Sequence, residues 1–173
     1  MKLKTFIEAK QVEYELFVDL DGVMADLTSY VEQLLGIQIV TQSDGNWAND
    51  DEIWDQIRSI PGEPDFSKLK LLPDAMQLWN YIKPHRPHIL TATGTPEQEN
   101  AMKKRTFVQR HLTGHGNVHT VKASRMKAQF AHPTAILIDD RTKSTRPWKQ
   151  AGGIAILHKN AAKTIEKLKE LGI

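Results

Sequence analysis

The sequence predicts an α/β protein: a Rossmann-like, doubly wound parallel sheet with a small helical cap inserted after the first strand. Three observations carry that expectation. Five short apolar runs recur along the chain and end abruptly in polar or glycine-rich residues. Helical periodicity fills most of the stretches between them, the alternation that builds a parallel sheet. Between Asp26 and about Leu72 the alternation stops, and no convincing buried strand can be read there.

The runs are Tyr14-Glu15-Leu16-Phe17-Val18, His88-Ile89-Leu90, the weaker Val118-His119-Thr120-Val121, Ala135-Ile136-Leu137-Ile138 and Ile154-Ala155-Ile156-Leu157. Their length and their Ile, Leu and Val content suit strands buried on both faces. From Pro73 to Ile82, Ala75, Leu78, Trp79 and Ile82 share one helical face. Thr95-Pro96-Glu97-Gln98 reads as a capping box with Pro at the first helical position, opening a helix to about Leu112. From Asn160 onward, Ile165, Leu168 and Leu171 recur at helical spacing, and the lysines read as a solvated face. The interrupting segment holds a helix around Leu27–Leu35 with Asp26 as its N-cap, a polar stretch Ser43-Asp44-Gly45-Asn46, and a helix around Asp50–Ile60 that Pro61-Gly62-Glu63-Pro64 ends. The expected domains are therefore a core of residues 1–26 and 73–173 and a cap of residues 27–72.

Bulk composition narrows the function. The chain has 173 residues, 40% of them hydrophobic and 25% charged, which is ordinary for one globular domain. Lys plus Arg is 23 against 21 for Asp plus Glu, an excess too small to argue for a nucleic-acid surface. With no cysteine there is no disulfide, no thiolate zinc site and no Cys nucleophile. Charges interrupt Met1-Lys2-Leu3-Lys4-Thr5-Phe6-Ile7-Glu8, so no secretory signal is read. No stretch approaches the roughly 18–20 apolar residues of a membrane span. A cytoplasmic protein is the default expectation, and a homodimer the commonest assembly by base rate.

Open α/β sheets bind ligands outside the carboxyl ends of their strands. At those ends stand Asp19 and Asp21 after the first run, Thr91 after the second, and Asp139 and Asp140 after the fourth. Lys127 precedes Asp139 on a helical pattern that Ser124 is placed to cap, which puts its charge in the first turn, against the macrodipole. Lys122 is its nearby competitor. Carboxylates this crowded repel one another unless a hard divalent cation joins them, so Mg2+ is expected on Asp19, Asp21, Asp139 and Asp140. The residue types suit attack on a phosphate monoester. Asp19 is the candidate nucleophile, Asp21 the acid and then base, Thr91 a hydroxyl for a phosphate oxygen, and Lys127 the neutralising charge.

These residues resemble the haloacid-dehalogenase (HAD) superfamily phosphatases. The carriers are Phe17-Val18-Asp19-Leu20-Asp21-Gly22-Val23, Ile89-Leu90-Thr91, Lys127 and Ile136-Leu137-Ile138-Asp139-Asp140, in that family's order. Within it the chain is similar to the 5′(3′)-deoxyribonucleotidases, on Asp21-Gly22-Val23-Met24-Ala25-Asp26, Leu71-Leu72-Pro73-Asp74-Ala75 and Leu137-Ile138-Asp139-Asp140-Arg141. The resemblance implies a HAD-like fold, an aspartyl-phosphate on Asp19, and a small phosphate ester, a deoxynucleoside monophosphate, as substrate. It also implies phosphate contacts at Thr91 and the following Ala92, where members of the group often carry a second hydroxyl; here Thr93 stands one place further on. Trp47 and Trp54 fall in the cap, either stacking on a nucleobase or forming the cap's own small core, the commoner fate of tryptophan.

Other readings of the same residues fare worse. As an EF-hand loop, Asp19-Leu20-Asp21-Gly22 would place Val23, Met24 and Tyr30 where an oxygen ligand, a glycine and a glutamate are needed. A signalling receiver would have its acidic pair first and its lysine last, and no use for Asp21. The histidines show no ligand spacing and are read as surface or strand-edge residues.

Overall fold

The computed structural model describes residues 12–173; the stretch Met1–Glu8 read above for a secretory signal, and the start of the 1–26 core segment, lie outside the described residues. Five strands form one parallel sheet: β1 (Glu15–Val18), β2 (His88–Ala92), β3 (Val118–Val121), β4 (Ala135–Asp139) and β5 (Ile154–Leu157). Their order is β3-β2-β1-β4-β5, so the winding reverses at β1 and opens a crevice at its carboxyl end. The doubly wound α/β expectation holds.

Alternation along the strands divides the core. Leu16, Val18, Ile89, Ile136 and Ile138 face one side of the sheet, where helices α3 (Ala75–Ile82), α4 (Glu97–His111) and α6 (Ala161–Glu170) bring Leu78, Trp79, Phe107, Val108 and Leu168. Phe17, Leu90 and Leu137 face the other, against Trp148 and Phe130. Trp148 belongs to helix α5 (Thr142–Gln150), which sequence periodicity did not reveal. Its sequence TKSTRPWKQ holds one large apolar side chain and an internal Pro147, so it carries no apolar stripe to detect.

The capping-box expectation is corrected. Helix α4 begins at Glu97; Pro96 is its cap residue with extended backbone, and no side chain caps it. The preceding loop is held elsewhere, by Thr93 N–H to Val121 O, Gly94 N–H to Lys122 O and Asn100 Nδ2 to Thr93 O, so the helix starts only after Pro96. Two of the histidine expectations hold at the amino end of the sheet, where the Glu15 carboxylate bridges His88 and His132 at 3.0 and 2.7 Å. His158 alone is a correction: it is 4% exposed, its Nδ1 2.8 Å from Thr164 Oγ1, whereas His85 is exposed as expected.

Between β1 and α3 the chain leaves and returns through paired stems. Asp26 N–H bonds to Lys70 O, and Leu72 N–H to Met24 O. Inside lie α1 (Leu27–Leu35), capped by Asp26 as read from sequence, and α2 (Asp50–Arg58). A tight turn joins them, and at its Gly45 (φ +83°) the backbone lies against the Asp140 carbonyl, where a Cβ would collide. Leu27, Val31, Ile53, Ile57 and Phe66 of this segment share one apolar cluster with Leu16 and Val18 of the sheet. Among the described residues, no helix is long and apolar enough to cross a membrane.

Candidate active site

The site is built at the carboxyl ends of β1, β2 and β4. Asp19 follows β1, with Oδ1 accepting from Leu20 N–H (2.8 Å). Gly22 then takes φ +76°, and a Cβ there would strike the Asp140 carboxylate, so glycine is what lets the two acidic segments meet. Asp139 ends β4, fully buried, and its Oδ1 accepts from Arg141 N–H (3.0 Å). Oxygens of Asp19, Asp139 and Asp140 lie within 4.8 Å of one another.

Lys127 is wedged into this group. Its Nζ lies 2.9 Å from Asp19 Oδ1 and 2.6 Å from Asp139 Oδ2 and is 1% exposed. Burial opposes its charge, but Asp139 and Asp19 outweigh that and hold the ammonium above the usual lysine range. The local setting differs from expectation: Ser124–Phe130 is a run of 3₁₀ turns with Ala123 at the cap position, and Ser124 caps nothing. The two carboxylates, not a helix terminus, fix this lysine.

Three carboxylates against one ammonium leave an excess of negative charge in a buried place. Burial first, then Asp139 and Asp19, pushes the Asp140 carboxyl well up, and burial raises Asp139 despite Lys127. Asp140 Oδ1 is buried without a partner. An all-oxygen set with an orphaned acceptor and uncompensated charge fits a hard divalent cation such as Mg2+, with Asp19, Asp139 and Asp140 to hold it.

Asp21 does not join that group. Its Oδ2 is paired with Lys104 Nζ, which also donates to Thr91 Oγ1 at 3.1 Å. Asp21 has a counter-charge of its own, reached across the crevice from α4. Lys104 is 1% exposed, and the Phe66 ring centroid stands 4.1 Å from its Nζ. Sequence reasoning missed this lysine, although a signal existed. Asn100, Lys104, Phe107 and Val108 are the buried residues of α4, so two polar side chains interrupt the apolar face at helical spacing.

A cavity of about 440 Å³ opens over these groups. Asp19, Asp21, Ala92 and Asp140 form its floor, and Leu27, Trp54, Pro64 and Phe66 give it an apolar wall from the inserted segment. Lys122 and Arg125 line it too. The two tryptophans separate. Trp47 is 5% exposed, lies outside the cavity lining and sits under the Arg141 guanidinium (4.8 Å), whereas Trp54 stacks on Trp47 (centroids 5.9 Å, 14°) and borders the cavity. Asp50 clasps this segment to the core: its carboxylate takes Lys143 Nζ (2.6 Å), Arg141 Nη1 (3.4 Å) and Trp54 Nε1 (3.1 Å).

No family model matches the chain, and no curated protein matches it in sequence. Solved structures do. A HAD-superfamily hydrolase from Ehrlichia chaffeensis is similar over 94% of this chain and all of its own, with a TM-score of 0.54 at 11% identity. A predicted phosphatase from Clostridium acetobutylicum is similar over 94% of this chain and all of its own, with a TM-score of 0.50 at 15% identity. The fold is that of the HAD-like hydrolases. At such identities the likeness speaks for the fold, and the chemistry must be argued from the side chains.

Proposed function

We propose that the protein is a Mg2+-dependent phosphatase that cleaves small phosphate monoesters through an aspartyl-phosphate on Asp19. The observation that carries this reading is Lys127 set between Asp19 and Asp139, with Asp140 beside them, and Asp19 and Asp140 opening onto a cavity.

Lys127 Nζ and Leu20 N–H orient the Asp19 carboxylate. That carboxylate attacks phosphorus; the new O–P bond forms as the ester O–P bond breaks, and Asp21 gives its proton to the departing oxygen. Asp21, now ionised beside Lys104, then takes a proton from water as the water oxygen attacks phosphorus. The Asp19–phosphoryl bond breaks, and free carboxylate and phosphate result. Asp19, Asp139 and Asp140 would hold Mg2+, which when bound would neutralise charge on the phosphoryl group. Lys127 adds a fixed positive charge at the same end.

The substrate class in this reading is the nucleoside monophosphates, deoxy forms foremost. Its support is the volume of the cavity and the wall of Trp54, Phe66, Leu27 and Pro64, an apolar surface of the kind on which a base rests. Trp47 is assigned the structural role, backing Trp54. The inserted segment covers the floor and disfavours polymeric substrates.

Phosphate release from dNMPs, NMPs, sugar phosphates and a 3′-phosphorylated oligonucleotide, with Mg2+ or chelator, tests the proposal. Mg2+-dependent release confined to dNMPs is the expected result. Release from sugar phosphates alone would keep the mechanism and discard the nucleotide. No release from any ester, or undiminished release by Asp19→Asn, would discard the mechanism.

A further inference from the structure

We propose that Phe66 is a positioning residue for the leaving-group end of the reaction: its ring fixes the Lys104 ammonium and, through it, the Asp21 carboxylate. The inference rests on the phosphatase reading above and concerns a residue that does not itself touch the reacting bond.

Three segments distant in sequence meet here. Asp21 comes from the turn after β1, Lys104 from the second turn of α4, and Phe66 from the short 3₁₀ turn Phe66–Lys68 near the end of the inserted segment. An ammonium has three protons to satisfy, and burying one without partners is costly. Lys104 Nζ gives one to Asp21 Oδ2 and one to Thr91 Oγ1, and Lys104 is only 1% exposed. The Phe66 face, with its centroid 4.1 Å from Nζ, is within the range where the ring quadrupole attracts a cation. Phe66 is itself 2% exposed, so its ring is held in place rather than draped over the surface.

The consequence falls on one oxygen. Lys104 occupies Asp21 Oδ2, and Asp21 Oδ1 is buried with no partner. Asp21 also borders the cavity while its Oδ1 is buried, so Oδ2, the oxygen that Lys104 holds, is the one left to meet a departing oxygen. The aim of Oδ2 depends on where Lys104 holds it, and the position of Lys104 depends on what fills the space at Phe66. A leucine there keeps an apolar wall but has no π face, and leaves the ammonium room to shift. Misplacing a group by about 1 Å is enough to slow a reaction on the order of a hundredfold.

Leaving-group chemistry separates this role from mere packing. An alkyl phosphate needs a proton on its departing oxygen, whereas p-nitrophenyl phosphate departs as a stable anion and needs little help. The experiment measures kcat and KM for both ester types in wild type, Phe66→Leu, Phe66→Tyr, Asp21→Asn and the Phe66→Leu/Asp21→Asn double variant. The expected result is that Phe66→Leu lowers the alkyl-to-aryl ratio of kcat about tenfold. Phe66→Tyr, which keeps the ring, restores the ratio, and Phe66→Leu has no further effect on it once Asp21 is Asn. Should the leucine variant fail to fold, Phe66→Met gives the same comparison.

Equal loss on both esters, a change in KM alone, or an additive loss in the Asp21→Asn background would overturn the role of Phe66 and leave the phosphatase reading standing. Wild-type protein inactive on both esters would overturn both.

Discussion

Two buried lysines, Lys127 and Lys104, lie behind the carboxylates of the cavity floor, and they are set differently. Lys127 stands between two buried carboxylates: Asp19 and Asp139 are 9% and 0% exposed. Lys104 has one carboxylate, Asp21, which is 22% exposed, together with a hydroxyl and an aromatic face. The Lys127 end lies at the sheet edge and is made of strand-terminal residues. The Lys104 end is assembled from the crevice, helix α4 and the inserted segment. In the phosphatase we propose, one end gathers negative charge, the phosphoryl group included, and the other keeps a single carboxylate aimed at the leaving group.

That contrast can be broken at several points, the largest being the nucleophile. Asp19→Asn is expected to reduce phosphate release by roughly a thousandfold or more, and to abolish acid-stable labelling of the protein by substrate phosphate. An equal loss in Lys104→Met would erase the distinction between the two ends.

Stability should follow burial. Lys127→Met leaves Asp19 and Asp139 uncompensated and is expected to cost about 3–5 kcal/mol in denaturant titrations without metal, in part restored by added Mg2+. Lys104→Met leaves only Asp21, which water can reach, and a cost of about 1–3 kcal/mol is expected, insensitive to Mg2+. Matching Mg2+ responses in the two variants would show that the divalent cation is not confined to the Lys127 end.

A buried imidazole supplies a control on pH. Burial lowers the His158 imidazole from 6.5 to about 4, against the pull of Asp74 and with that of Lys159. Its folded value is depressed, so below pH 6.5 the unfolded chain binds the proton more readily than the folded one. Stability contributed by neutral His158 is therefore present above that range and falls as pH drops from 6.5 toward 4, by about 3 kcal/mol in all. His158→Gln should flatten this part of the stability–pH curve; an unchanged slope would show that another group carries the acid sensitivity, and not Asp139 or Asp140, whose raised carboxyls favour the folded state on protonation.

The smallest effect is expected at the clasp between the inserted segment and the core. Asp50 is 12% exposed and meets Lys143 and Arg141. Asp50→Ala should cost about 1 kcal/mol of stability and raise KM more than it lowers kcat, since it loosens the wall that carries Trp54 and not the floor.

Much of the Lys127 end was legible in the sequence because its signals are local. Strands end where an apolar run meets Asp19, Thr91 or Asp139, and the order of those ends along a parallel sheet places them on one edge whatever the helices do. Helix α1 and the buried face of α3 were readable for the same reason, since a cap residue and a four-residue stripe need no distant partner. Helix α5 was not, because Trp148 is its one large apolar side chain and the other buried residues, Ser144 and Thr145, are polar. Asp21 was expected beside the metal ligands because it is two residues from Asp19, but its side chain turns to a lysine 83 residues away.

The sequence by itself determined the sheet, the edge on which the acidic residues gather and the pairing of a nucleophile with a late acidic couple, because periodicity and strand termination act over a few residues. Tertiary structure alone decided which carboxylates cluster, which tryptophan faces the cavity, and that Lys104 and Phe66 stand beside Asp21. Those choices turn on how buried charges are compensated, and compensation is settled only when segments far apart in the chain are brought within a few ångströms.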